Sequence, residues 1–128
     1  MTTRPTVGGS RFPETNREIR GHDFYPPEGI LSQIPPLYAT EDVPLLDTEV
    51  HLHYFAGGMD WYVAELDPES GLAFGWACIT DGEWGYFTLP EIEELRIQGL
   101  FVIERDLSFG KKRAGDIIRI ASTVAPRK

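Results

Sequence analysis

The sequence predicts an α+β domain, an antiparallel meander sheet of about four to six strands with two short helices. Three observations predict it. Between Glu49 and Phe87 apolar residues recur in short strand-length runs. The segments between those runs, Ala56–Asp60, Asp67–Gly71 and Thr80–Gly82, are rich in turn residues and too short for the crossover that parallel neighbours need. Then Thr88-Leu89-Pro90-Glu91 places a hydroxyl, an early proline and a glutamate at capping-box spacing, which starts a helix.

Residues 1–27 combine Gly, Pro, Ser, Thr and Arg without apolar periodicity and read as a flexible arm, or one that orders only against something else, ended by Pro26-Pro27. Glu28 to Ile34 sets Ile30, Leu31 and Ile34 at helical spacing, and Pro35-Pro36 stops that helix. Leu37 to Thr40 reads as an extended link and Thr40 to Asp47 as a turn-rich connection. Glu49 to Phe55 alternates, with Val50, Leu52 and Tyr54 on one face and His51, His53 and Phe55 on the other. Trp61 to Leu66, Leu72 to Ile79 and Trp84 to Phe87 are the next strands. The third is nearly all apolar, as a strand covered on both faces would be. The helix from Thr88 buries Ile92, Leu95 and Ile97 and stops at Gly99. Leu100 to Ile103, a turn at Glu104–Asp106 and Leu107 to Phe109 follow. Gly110 to Arg113 is a basic loop, and Asp116 to Val124 a last strand. The expected organisation is an arm (1–27), an α+β core (28–109) and a basic C-terminal extension (110–128).

A chain of 128 residues with 41% hydrophobic content supports one core. No apolar run approaches the roughly 20 residues that cross a bilayer, and the N-terminus lacks the apolar region of a secretory signal. The single cysteine, Cys78, cannot form an internal disulfide, which suits a reducing, cytoplasmic setting. Charge is segregated. From Asp23 to Glu94 there are 15 Asp or Glu and no Lys or Arg, whereas Arg105 to Lys128 holds seven Lys or Arg against two Asp. Such a body repels nucleic acid, membrane surfaces and acidic substrates, and either favours a partner protein with a basic surface or serves solubility alone.

Three blocks carry a resemblance. Pro35-Pro36-Leu37-Tyr38-Ala39-Thr40-Glu41, Gly82-Glu83-Trp84-Gly85-Tyr86-Phe87-Thr88-Leu89 and Ile103-Glu104-Arg105-Asp106-Leu107-Ser108-Phe109 stand in this order, with Trp61-Tyr62-Val63 and Glu65 between the first two. Over Glu28 to Phe109 the chain resembles the domain of unknown function 2958 family. The resemblance implies a small protein of plasmids, conjugative elements and phages, without an assigned activity, so it supplies no catalytic residue. The segments before Glu28 and after Phe109 read as additions.

The residues themselves offer several candidate sites. The leading one is an acidic and aromatic binding surface of Trp61, Glu65, Asp67, Glu69, Asp81, Glu83, Trp84 and Tyr86, because carboxylates gather at the turns and an open sheet face would display rings. Lys111, Lys112 and Arg113 could grip phosphate, giving a nucleic-acid reading. His51 and His53, two apart on a strand, share a face and form a metal-ligand pair with His22 or Asp23 as candidate third ligands, as a small metal-dependent enzyme would need. Structural metal sites require three or four ligands, and only two are placed here. Cys78, between Ala77 and Ile79, reads as inert core. No phosphate-cradling glycine loop and no Ser–His–acid trio is present, so no cofactor and no enzymatic activity are expected. The expected function is non-enzymatic: an acidic accessory or counter-defence factor of a mobile element, occupying a basic host-protein surface as a nucleic-acid mimic does.

Overall fold

The structure, a computed structural model, describes residues 12–122. At its centre is a five-stranded antiparallel sheet in the order β5 (Gly82–Thr88), β4 (Leu72–Cys78), β3 (Met59–Leu66), β2 (Leu52–Ala56) and β8 (Glu104–Arg105). Strands β2 (Leu52–Ala56) and β3 (Met59–Leu66) meet through Gly57-Gly58. Both glycines have positive φ, 53° and 87°, which a two-residue hairpin turn needs to match the strand twist. β4 (Leu72–Cys78) and β5 (Gly82–Thr88) continue the meander, and β8 (Glu104–Arg105) pairs with β2 at the far edge. Two small ladders flank the sheet: β1 (Glu49–Val50) with β9 (Lys112–Arg113), and β6 (Arg96–Ile97) with β7 (Phe101–Val102). The helices are α1 (Arg17–Arg20), α2 (Glu28–Leu31), α3 (Leu89–Glu94) and α4 (Ile118–Ala121). The α+β meander is as expected, with four short helices in place of two.

Both faces of the sheet are covered. On one, Leu52, Tyr54, Trp61 and Val63 pack with Phe24, Tyr25 and Ile34 from the N-terminal segment and with Leu89 and Ile92 of α3. On the other, Val50, Tyr62, Ala64 and Trp76 receive Ala114, Ile117 and Ile120. This explains why β3 is buried from Trp61 through Leu66 without a polar face.

Four expectations are corrected. Residues 12–27 are not a loose arm: Phe24 and Tyr25 are core residues, and Asn16 and Arg20 are buried. The Glu93 carboxylate on α3 draws them in, accepting the N–H of Thr15 at 2.9 Å and of Asn16 at 2.8 Å and pairing with Arg20 at 3.1 Å. Composition alone hides such a docking site; residues 1–11 lie outside the described residues. The helix from Thr88 ends at Glu94, not Gly99, since Leu95 turns extended and its buried stripe is Leu89, Ile92 and Glu93. Leu95 is exposed, and Ile97 belongs to the β6–β7 hairpin, whose turn carries Gly99. The last strand is instead a 3-10 turn (Ala114–Asp116) followed by α4. Ile117 and Ile120 have opposite parity, so a strand would split them across two faces, whereas a helical turn drops both onto Trp76 and Tyr62. The end of that expected strand, Thr123 and Val124, lies outside the described residues, as do positions 125–128. Finally, Val50 and Leu52 do not share a face, because the alternation breaks at His51, between β1 and β2, whose N–H donates to Val63 C=O at 2.8 Å.

Candidate protein-binding groove

A register shift in β3 builds the site. Val63 pairs with Gly75, but Glu65 pairs with Phe74, leaving Ala64 as a bulge. Strict alternation would put Glu65 on the face of Trp61 and Val63. The bulge turns it to the opposite face, beside Phe74. There it is buried, 2% exposed. Its carboxylate accepts the N–H of Tyr38 at 2.7 Å, the N–H of Thr40 at 2.9 Å and, in a short bond, the Thr40 hydroxyl. The sequence places Glu65 on the acidic binding surface; the structure buries it as the anchor of the 38–40 loop.

That anchor holds Tyr38 at φ 73°, a left-handed conformation that aromatic residues rarely adopt and that costs of order 1–3 kcal/mol unless its surroundings enforce it. The consequence is a displayed ring. Tyr38 is 60% exposed and Tyr86 of β5 is 52% exposed, with ring centroids 6.4 Å apart and an interplanar angle of 56°. Phe74 lies behind them, 5.1 Å from Tyr86. Together with Thr40, Glu41, Val43 and Leu45 they line a groove of about 380 Å³. Partial desolvation first, then the neighbouring Tyr38 hydroxyl and the charges of Glu65 and Glu41, raise the Tyr86 hydroxyl above its ordinary pKa.

Of the expected surface, Tyr86 lies at this groove and Trp84 on the same face, stacked at 5.9 Å on Phe74. Trp61 does not join them; it is core, 3% exposed. Glu83 pairs with Ala77 and so faces the other side of the sheet. Asp67 and Glu69 sit at the β3–β4 turn and Asp81 at the β4–β5 turn, opposite ends of a meander. The carboxylates are therefore divided rather than continuous. Other carboxylates are matched by cations from the C-terminal segment. Lys111 lies 3.6 Å from Glu49, Arg113 is 2.8 Å from Asp47 and 3.0 Å from Asp116, and Arg119 pairs with Asp60. Lys112 lies over the Phe109 ring at 5.1 Å. The basic loop is thus a strap on an acidic body.

His51 and His53 do not converge. His53 Nδ1 meets Asp106 at 2.9 Å, its Nε2 meets Asp60 at 2.7 Å, and its ring stacks on Tyr62 at 4.2 Å. Both ring nitrogens are engaged, and none remains for a metal. Burial, then Asp60, pushes the Tyr62 hydroxyl up to about 12. His51 lies elsewhere, in a cavity with Pro35, Thr40 and Thr48, where burial lowers its pKa. Among the described residues no group of three or more His, Cys, Asp or Glu could hold a metal ion. Cys78 is not core either; it is half-buried, with Sγ 3.5 Å from Arg119. No helix among the described residues is long and apolar enough to cross a membrane.

Tyr38, Thr40, Glu41 and Phe74 escaped the sequence reading as site residues. Tyr38 and Thr40 stood in a recognisable block, but neither a bulge at Ala64 nor a positive φ at a tyrosine has a sequence signature. Neither a curated protein nor a solved structure matches the chain. One family model does, and its match runs past the expected boundary at Phe109 to take in the basic segment, while starting after the Pro35-Pro36 pair. Matched over residues 39–124, the chain belongs to the family described as "Protein of unknown function (DUF2958)".

Proposed function

We propose that the protein is a non-enzymatic binding module that takes a cationic segment of another protein into the Tyr38–Tyr86 groove. The observation that carries this reading is the pair of exposed tyrosine rings held over Glu65 and beside Glu41. A guanidinium or ammonium group within about 6 Å of a ring centroid is attracted by the ring face, more strongly where it is partly desolvated. The carboxylates add a longer-ranged attraction, and the cations that fold back onto the stretch from Asp23 to Glu94 engage Glu49, Asp47 and Asp60 rather than Glu41 or Glu65. The reading narrows the acting surface from the whole acidic body to one groove. In the mobile-element setting that the resemblance implies, such a module serves as an accessory or counter-defence factor in the cytoplasm, acting on a basic host-protein surface. The engagement of Lys111, Arg113 and Arg119 with carboxylates of the body favours this over direct nucleic-acid binding.

The test uses a blocked arginine–glycine repeat peptide, which is cationic and has no strand preference. Its affinity should fall as salt rises from about 50 to about 300 mM, since charges are screened over about 8 Å at physiological salt. It should also fall in Tyr38→Ala and Tyr86→Ala. An affinity indifferent to both salt and these substitutions removes the proposal.

A further inference from the structure

β5 is an edge strand with one neighbour, β4. The N–H of Asp67 donates to the C=O of Leu72 at 2.9 Å, so along β4 Leu72, Phe74 and Trp76 turn their main-chain groups toward β3, and Ala73, Gly75 and Ala77 turn theirs toward β5. Their partners Phe87, Gly85 and Glu83 make the ladder. Trp84 and Tyr86 consequently hold N–H and C=O groups away from the sheet, and among the described residues nothing bonds to them. Natural edges are blunted by charged side chains, especially Lys, by Pro, by bulges or by covering segments. Among the described residues β5, seven residues long, carries one charge, Glu83, and has no Lys, Pro, bulge or covering strand.

Each side of this edge has a concavity. One is the Tyr38–Tyr86 groove with Glu41. The other, about 560 Å³, is lined by Trp61, Ile79, Phe87 and Leu95, with Glu91 and Glu94 at its rim. Between Glu83 and Phe87, Gly85 leaves open space on that second side, where an added Cβ would meet no atom within 4 Å. A strand laid beside β5 would send successive side chains alternately to these two sides.

We infer that β5 receives an extended segment of a basic partner protein as a sixth strand, with cationic side chains over Tyr38 and Tyr86 and apolar ones toward Phe87 and Ile79. Main-chain bonds to Trp84 and Tyr86 would supply affinity, and the two concavities would supply specificity. Charge complementarity selects the partner over a second copy, because both sides of the edge are acidic and the chain carries −8 overall. The inference rests on the groove reading and adds the direction and backbone pairing of the ligand.

The probe is a blocked heptapeptide of alternating lysine and valine, in three forms: unmodified, N-methylated at every lysine, and N-methylated at every valine. In a strand, alternate amides face the sheet, so methylation of one set removes the ladder and methylation of the other does not. The expected result with the full chain is a loss of about tenfold or more in affinity for one set and less than about threefold for the other. Amide hydrogen exchange at Trp84 and Tyr86 should slow by about tenfold or more when the unmodified peptide is bound. Equal behaviour of the two methylated sets, or unchanged exchange at Trp84 and Tyr86, overturns strand addition; if the arginine–glycine peptide still binds, the groove reading survives alone. No binding by any peptide ends both. A dimer of the free protein that the heptapeptide fails to dissociate also overturns the inference, since a second copy would then occupy the edge.

Discussion

Glu65 accepts the backbone N–H of Tyr38 at 2.7 Å from a buried position across the β3 bulge, and this single bond ties the display of an exposed ring to a side chain in the sheet. Replacing Glu65 by Gln keeps the shape but removes the charge and turns an amide toward two backbone donors, with only the Thr40 hydroxyl able to accept from it. Hydrogen bonds to a charged acceptor are worth about 1.5–3 kcal/mol, and a buried donor left unmatched costs a similar amount. Glu65→Gln should lower stability in urea titration by about 2–3 kcal/mol and weaken the arginine–glycine peptide as well. A variant with wild-type stability would show that the 38–40 loop does not depend on this carboxylate.

Tyr38 and Tyr86 themselves should behave differently. Both rings are more than half exposed, and surface substitutions usually change stability by less than about 0.5–1 kcal/mol. Tyr86→Ala should leave the urea midpoint nearly unchanged while weakening the peptide about fivefold or more, the scale of a partly desolvated cation–π contact. A large loss of stability with unchanged binding would make Tyr86 a packing residue.

Arg20 and Glu93 form the second testable pair. Their side chains are 0% and 1% exposed, and Glu14 shares the guanidinium at 3.1 Å. Removing Glu93 leaves the guanidinium to Glu14 alone and the N–H groups of Thr15 and Asn16 without their acceptor, and breaking a buried pair in this way costs about 3–5 kcal/mol. Glu93→Ala should therefore destabilise by that amount and loosen the N-terminal segment, seen as faster amide exchange at Asn16 and Phe24. Arg17 pairs with Asp23 at 2.8 Å with both side chains 45% exposed. Arg17→Ala should change stability by less than about 1 kcal/mol.

His51 sets an acid-side dependence. Its pKa is lowered by burial, with Lys111 adding to the effect and Glu49 opposing it. Below about pH 6.5 the unfolded chain takes up a proton that the folded chain refuses, so stability falls with pH through that window and is unaffected above it. Between about pH 7.5 and about pH 5.5 wild type should lose more stability than His51→Gln. Equal slopes for the two proteins would contradict a neutral, buried imidazole.

How legible these features were in the sequence depended on range. The hairpins announced themselves locally, since Gly57-Gly58 and the Asp67–Gly71 stretch carry their turn chemistry with them, and Thr88 accepts from the Glu91 N–H as a capping residue does. Charge segregation was equally plain, but not its outcome. The cations of Lys111, Arg113 and Arg119 return to Glu49, Asp47 and Asp60 from the far end of the chain, which no local pattern foretells. An open sheet face would display Trp61 and a turn would expose Glu65, but the sheet is covered on both faces and both residues are buried. The second face is closed by residues 114–120, which overlap the strand expected from Asp116 to Val124, although Ile117 and Ile120 stand three apart. The groove needed a bulge and a left-handed tyrosine, both fixed by tertiary contacts.

The most direct measurement is the proton spectrum of the arginine–glycine peptide as it binds the full chain at low salt. A guanidinium seated over Tyr38 and Tyr86 places the arginine δ-methylene protons above the rings, so they should shift upfield by ring current, and Tyr38→Ala or Tyr86→Ala should abolish the shift. Binding with unshifted δ-protons, accompanied instead by changes at Asp67, Glu69 or Asp81, would contradict the groove and return the protein to an acidic domain without a defined site.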